Sequence, residues 1–311
     1  MTTQVPAVYA WPESHRVAEA LADHVVAQQN NVLDAKRAVD NKRPSNAGVA
    51  SGTNSGTQTP TTPPPRRFRI GISGGSLIHV LNEGLLTRDD VRWDQWDIYF
   101  ADERLVPFDD EQSNYGLFKR EIYDKIPEGT PKPRVFHVDE ALLDDAQEAA
   151  DAYEKVLIKG FAAKDSVKLP MFDLLLLGCA PDGHICSLFP SHPLLRESLA
   201  WVAPIEDAPK PPPRRITLTL PVIRHAHRVT FVVEGATKAP IIKTIFERPE
   251  KGLPSSLVNE ACAGKVSWFV DNEALKNSFV TKKEYKMLVT PKKEAAKEEG
   301  ANGEQEKKRD A

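Results

Sequence analysis

The sequence has 311 residues, of which 41% are hydrophobic and 27% charged, the proportions of an ordinary globular protein that can bury a sizeable core in one large domain. Its 41 basic and 44 acidic residues leave a formal net charge of −3, which excludes a general attraction to nucleic acid or an acidic membrane, so any anion must be held by a local cluster. The three cysteines, Cys179, Cys186 and Cys262, form no paired framework and lack His or Cys neighbours at zinc spacing, as expected of reduced thiols in a cytosolic protein.

The N-terminus has neither an apolar secretory core nor an Arg-rich presequence, and the longest apolar runs, such as 174–177, are far too short to span a bilayer, so a cytoplasmic location is expected. Over 14–39, Val17, Leu21 and Val25 recur every four residues, and this stripe predicts a helix. The stretch 46–65 is made mostly of Ser, Thr, Gly, Asn and Pro, with no charge or aromatic residue and almost no large apolar one; it cannot offset its ordering entropy and reads as a disordered insertion. Runs rich in β-branched and aromatic residues at 68–72, 96–100, 134–138, 172–177, 216–220, 229–233 and 266–270 predict strands. Helical patterns at 77–86, 146–163 and 238–247 alternate with them, which argues for an α/β fold with a mostly parallel sheet. Leu174, Leu175, Leu176 and Leu177 suit a central strand covered on both faces. The expected organisation is a helical N-terminal part over 1–45, the insertion over 46–66, the rest of the single domain over 67–281 and a charged, disordered tail over 282–311.

Open parallel sheets place ligands at the carboxyl ends of their strands, and three loops there have unusual chemistry. Ser73, Gly74, Gly75 and Ser76 stand between a strand and a helix, where two glycines admit a ligand close to the backbone and the helix start offers N–H groups to an anion. The alternative is a tight turn with Ser76 as N-cap. Asp102, Glu103 and Arg104 follow the next strand; an Arg fork suits a phosphate and an Asp accepts from sugar hydroxyls or orients a histidine, though an exposed ion pair is the plainer reading. Residues 178–184 end on Asp182, Gly183 and His184, and an imidazole that titrates near neutrality can take a proton from water, unless it merely ties the loop down. Arg215 and Lys238, each beside a predicted element, can neutralise a phosphate or be solvated charges. His225 and His227, two apart on one strand face, lack a third ligand and read as surface residues.

Together these segments resemble the glucosamine-6-phosphate isomerase/6-phosphogluconolactonase family, and within it the lactonases. The matching blocks are SGG at 73–75, DERLVPFDDEQSNYGLF at 102–118, LLGCAPDGHICSLFPSHPLL at 176–195, KPPPRRITLTLPVI at 210–223, EGATKA at 234–239 and LPSSLVNEACAGKVSWFVD at 253–271, in the family's order and covering roughly residues 10–280. The resemblance implies a Rossmann-like, three-layer α/β/α domain of the sugar-phosphate isomerase and deaminase type. His184, with Asp182, falls on the catalytic position, while Gly74, Gly75, Ser76, Asp102, Arg104, Arg215 and Lys238 fall on substrate-binding positions, the last two near the phosphate. The implied reaction is hydrolysis of 6-phospho-D-glucono-1,5-lactone to 6-phosphogluconate in the oxidative pentose phosphate pathway. No cofactor or metal is implied, and the expected partner is a small phosphorylated sugar lactone met by a monomer, with no nucleic acid or membrane. The sequence departs from the family in its insertion, in its tail and in Ala180, which stands where Gly is more usual. Glucosamine-6-phosphate deaminase is the alternative enzyme, against which stand Arg104 in place of an aromatic residue and Ser187, Leu188, Phe189 and Pro190 in place of an Asn-Glu-Pro segment. A non-catalytic sugar-phosphate sensor or adaptor is the alternative from another class, disfavoured by the joint presence of His184, Asp102 and Arg104.

Overall fold

The computed structural model describes residues 5–40, 66–162 and 169–288, so the expected insertion up to residue 65 and the tail beyond 288 lie outside the described residues. In chain order the elements are β1 (Ala7–Trp11), α1 (Ser14–Asp40), β2 (Phe68–Ile72), α2 (Ser76–Leu85), β3 (Trp96–Phe100), β4 (Asp102–Arg104), α3 (Asn114–Phe118), β5 (Arg134–Phe136), α4 (Ala146–Phe161), β6 (Leu174–Leu177), β7 (Val202–Ile205), β8 (Arg215–Leu218), α5 (Leu220–His225), β9 (Val229–Val233), α6 (Ala239–Glu247), α7 (Pro254–Ala261) and β10 (Val266–Asp271).

Seven strands form one sheet in the order β1-β10-β9-β6-β2-β3-β5, with every neighbouring pair parallel. The two-residue period of a strand explains its layering. Leu174 and Leu176 of β6 join one apolar cluster with Phe68, Ile70 and Ile72 of β2 and with α1 and α2, whereas Leu175 and Leu177 join the cluster on the other face with Tyr99, Trp268, α4 and α7. All four leucines are fully buried, and each such burial contributes roughly 1.5–3 kcal/mol. The stripe of Val17, Leu21 and Val25 lies wholly in the first cluster, as its spacing predicts. Gly84 lets α2 come against α1, because a Cβ there would strike the carbonyl of Ala18. The result is the expected three-layer α/β/α arrangement.

The expected strand at 216–220 does not belong to this sheet. It is β8, which pairs antiparallel with β4 and β7 in a separate three-stranded sheet, and its last two residues instead cap and begin α5. A run of β-branched residues does not say which sheet it enters, and Pro221 at the second helical position favours the helix start. β5 ends at Phe136 and β6 begins at Leu174, two residues inside the expected bounds at one end of each. The short elements β1, β4, β7, α3, α5 and α7 were not anticipated. His225 closes α5 instead of sharing a strand face with His227, and among the described residues no His, Cys, Asp and Glu gather as metal ligands do.

The first residues of the expected tail are held against the body. Lys282 bridges in parallel to Val8, and the Tyr285 ring lies 5.2 Å from Tyr9, 5.8 Å from Trp11 and 5.3 Å from Phe269. The Tyr285 hydroxyl donates to Asp23 Oδ2 (2.7 Å), as does the backbone N–H of Leu288 (2.7 Å). One aromatic with a polar tip anchors a stretch whose mixed charge suggested full solvation. No described helix is long and apolar enough to cross a membrane.

From β2 the chain moves outward to β3 and β5, then returns to place β6 on the other side of β2. This reversal parts the loops leaving β2 and β6 and opens a crevice at their carboxyl ends.

Candidate active site

Gly74, Gly75, Ser76, Asp102, Arg104, His184 and Lys238 line one cleft of about 150 Å³ at that crevice. Seven residues picked from four separate segments of sequence are thus brought together. Ser73 fastens the two diverging loops, its Oγ accepting from the Gly178 N–H at 2.9 Å.

The glycine loop shows why it must be glycine. A Cβ at Gly74 would collide with Asn114 Oδ1, and Gly75 has φ +71°, a left-handed conformation that side chains resist. Gly75 is also the N-cap of α2, and no side chain caps that helix, so Ser76 is its first residue and not its cap. Ile78 N–H donates to Gly75 O (3.1 Å), which leaves the N–H groups of Ser76 and Leu77 as donors at the positive end of a ten-residue helix.

β4 turns out of β3 with only Ala101 between them, and Ala101 donates to Ile72 O (2.8 Å) while accepting from the Leu218 N–H (2.8 Å). Alternation along β4 sends Asp102 and Arg104 to the cleft and Glu103 to the other side. Asp102 is buried; its Oδ2 accepts from Ser187 Oγ (2.7 Å) and its Oδ1 from Asn114 Nδ2 (3.3 Å). Arg104 Nε lies 3.9 Å from Asp102 Oδ2 and is buried without a hydrogen-bond partner among the described residues, while Nη1 donates to Gln112 O (2.8 Å). This is a braced pair in a wall and not the exposed ion pair of the plainer reading. Glu103 accepts from the backbone N–H groups of Arg104 (2.8 Å), Asn114 (2.7 Å) and Tyr115 (2.8 Å), tying the 113–115 turn beneath β4. Burial pushes its carboxyl up to about 7 against the pull of those N–H groups.

The loop after β6 turns back on itself, with Gly183 N–H donating to Ala180 O (2.9 Å) and Ala180 N–H to His184 O (3.0 Å). Gly183 has φ +86°, and a Cβ there would press at 3.1 Å on Ile241 and Leu253. Ala180 is not at positive φ, so its methyl group imposes no strain. His184 Nδ1 lies 2.7 Å from Asp182 Oδ1, and Asp182 Oδ2 lies 2.9 Å from Lys210 Nζ. Partial burial works against the ionised form of Asp182, but Lys210 and His184 together hold its carboxyl below the usual range. An ionised carboxylate only accepts, so Nδ1 carries the imidazole proton and Nε2 keeps its lone pair. Burial holds the His184 pKa below its ordinary 6.5 against the opposing pull of Asp182, which leaves the ring neutral at pH 7. Its side chain is 13% exposed, packed 4.5 Å from the Phe189 ring.

Lys238 closes the turn after Gly235 and stands at the N-cap of α6. Burial lowers its pKa, and its ammonium makes no hydrogen bond among the described residues. The two cysteines in the wall are inert, since burial pushes Cys179 up to about 12 and Cys186 well above its ordinary value.

Arg215, expected to bind substrate, and Asp182, expected on the catalytic position with His184, do not themselves line the cleft. Arg215 is opposite Arg104 in the β4–β8 pairing but only 2% exposed. Its guanidinium donates to Pro212 O (2.9 Å), Lys210 O (2.9 Å) and Pro211 O (3.3 Å), and Nη1 lies 3.4 Å from Ser187 Oγ. It therefore clasps the loop that presents Lys210 to Asp182. Glu103, Asn114, Ser187 and Lys210 are the supporting residues that sequence reasoning did not select, although each sits inside or beside a block that drew attention.

The fold is that of a doubly wound α/β protein, with a glycine loop, two cations and a carboxylate-held imidazole gathered in one cleft at its switch point. The family model described as glucosamine-6-phosphate isomerases/6-phosphogluconolactonase matches residues 12–268. A Saccharomyces cerevisiae protein named 6-phosphogluconolactonase-like protein 1 is 59% identical, with 92% of this chain and 97% of that protein covered. Rat 6-phosphogluconolactonase is 45% identical over 67% of this chain and 79% of its own length. The solved structure of 6-phosphogluconolactonase from Trypanosoma brucei shares the fold, with a TM-score of 0.63 at 23% identity, covering 88% of this chain and 99% of that one. The chain belongs to the glucosamine-6-phosphate isomerase/6-phosphogluconolactonase family.

Proposed function

We propose that this cleft hydrolyses 6-phospho-D-glucono-1,5-lactone to 6-phosphogluconate, the step the lactonases of the family perform in the oxidative pentose phosphate pathway. The observation that carries the reading is the neutral His184, fixed through Nδ1 by Asp182, with Nε2 free of any hydrogen bond among the described residues in a cleft lined also by Arg104 and Lys238. Relatives named for this activity at 45% identity and above 60% coverage support it. Water gives a proton to Nε2 as its oxygen bonds to the lactone carbonyl carbon. The bond to the ring oxygen then breaks, the proton passes from Nε2 to that oxygen to give the C5 hydroxyl, and the carboxylic acid left at C1 loses its remaining proton to solvent as the product is released. N–H groups at the start of α2 are the donors available to the developing oxyanion. Arg104 and Lys238 hold the phosphate, and that remote charge orients the carbonyl. Arg215, assigned to the phosphate by resemblance, serves in this reading by bracing the Lys210 loop.

The test is formation of 6-phosphogluconate from freshly prepared lactone, corrected for spontaneous opening. His184→Ala lowers kcat by about 10²–10⁴ with little change in substrate binding. An unaltered rate removes the assignment, and ammonia release from glucosamine 6-phosphate would transfer the cleft to the deaminase reaction.

A further inference from the structure

The amino-terminal edge of the parallel sheet bears a second and larger hollow, of about 890 Å³. It is lined where strands begin, by Arg69 of β2, Asp97 of β3 and Arg134 of β5, and on one side by Lys159 and Gly160 in the last turn of α4. Five cationic side chains, those of Arg66, Arg67, Arg69, Arg134 and Lys159, share it with two carboxylates, Asp97 and Asp173. Both carboxylates are buried and engaged. Asp97 Oδ1 accepts from Arg67 Nε (2.6 Å) and Arg134 Nε (2.6 Å), and its Oδ2 from Arg134 Nη2 (2.5 Å); Asp173 Oδ1 accepts from Arg66 Nη2 at 3.3 Å. Two arginines would have neutralised them. Arg69 and Lys159 have no carboxylate partner among the described residues, and the Arg69 guanidinium instead lies 4.9 Å over the Phe161 ring. A separate observation points the same way. Tyr99, in the same wall, is fully buried, yet its hydroxyl has no hydrogen-bond partner among the described residues, and Gly160 leaves room for it, since a Cβ there would strike that oxygen.

We infer that this hollow binds a small molecule carrying two or more phosphate groups. Guanidinium forks match phosphate oxygens in pairs, and a surplus of cations around one hollow sets a local positive field in a chain whose net charge is −3. The volume is that of a small-ligand site, and Phe136, Val156 and Met171 give an apolar side for a non-phosphate portion. The overall negative charge and the confinement of the surplus cations to one hollow favour a compact ligand over a nucleic-acid strand. The inference is independent of the lactonase reading, because none of these residues lines the catalytic cleft.

The experiment is calorimetric titration of the full chain with inorganic tripolyphosphate and, separately, with ATP, at low and at raised salt. Saturable binding that weakens with salt is expected. The paired change Arg69→Met with Lys159→Ala, which keeps an apolar stem over Phe161, should lower affinity at least tenfold, whereas Arg104→Ala with Lys238→Ala should leave it intact. Should the first pair also depress the melting temperature, Lys159→Glu alone, at an exposed helical position, is expected to weaken binding several-fold in a stable fold. Tighter binding of ATP identifies a nucleotide as the source of the phosphates, and equal binding identifies the phosphate chain itself. No saturation at millimolar ligand, affinity unmoved by Lys159→Glu, or binding lost only with Arg104 and Lys238 would overturn the inference.

Discussion

The two sheets serve the cleft in opposite ways. The parallel sheet offers its ends: no strand side chain of β2 or β6 lines the cleft, and what it contributes are the loops at 73–76 and 178–184, held in place by strands buried on both faces. The three-stranded antiparallel sheet offers a strand itself, with Asp102 and Arg104 on the face of β4 that meets the cleft. The proposed base thus rides on a glycine-shaped loop of the large sheet, and the proposed phosphate contact rides on a small sheet that must be stabilised separately. Glu103, Asn114, Ser187 and Arg215 do this with buried hydrogen bonds, since three short strands have little core of their own. Proton transfer and charge recognition should therefore fail in distinguishable ways.

The sharpest contrast is between His184→Ala and Arg104→Ala. The first lowers kcat by about 10²–10⁴, the range for a general base. The second raises KM for the phosphorylated lactone by about 10–100-fold, the loss of a hydrogen bond between charged groups, and leaves the unphosphorylated lactone little changed. Equal loss on both lactones would merge the two roles that the sheets keep apart. The next effect falls on stability. Glu103→Ala removes the acceptor of three N–H groups under β4, and each left buried and unpaired costs about 1–3 kcal/mol. Urea unfolding should show the loss, and the remaining folded enzyme should suffer in KM more than in kcat. A variant with normal stability would mean that the small sheet does not need its buried carboxyl.

The same division marks what the sequence could disclose. β6 and the stripe of Val17, Leu21 and Val25 were legible because burial of a central strand or helix face imposes a period on the residues themselves. His184, Arg104 and Lys238 were legible because they follow strands whose ends are predictable. The partners of Arg215 were not legible, because an arginine bonded to the carbonyls of residues 210–212 looks, in sequence, like one that faces solvent. The bond from Ser187 to Asp102 was not legible, since the two are 85 residues apart, and the 216–220 run gave no sign of its antiparallel neighbours. Tyr285 holds the start of the tail through a contact 262 residues distant, beyond the reach of any local pattern.

The smallest predicted effect tests how the antiparallel side reaches the imidazole. Arg215, at the start of β8, clasps the loop bearing Lys210, and Lys210 Nζ sits 2.9 Å from Asp182, whose other oxygen holds His184. Lys210 disfavours the imidazolium by its charge, whereas Asp182 favours it. A general base works when neutral, so kcat/KM falls as pH drops through the His184 pKa, and burial places that acid limb below 6.5 in the native protein. Lys210→Met removes a cation and raises that pKa, moving the limb toward higher pH with the plateau largely kept. Asp182→Asn removes the opposing charge and shifts the limb toward lower pH. It also lowers the plateau, because an amide no longer dictates which ring nitrogen carries the proton. pH profiles of kcat/KM for the two variants should therefore diverge in opposite directions. Limbs that stay together would show that the ion pair fixes only the loop and leaves the basicity of His184 to burial alone.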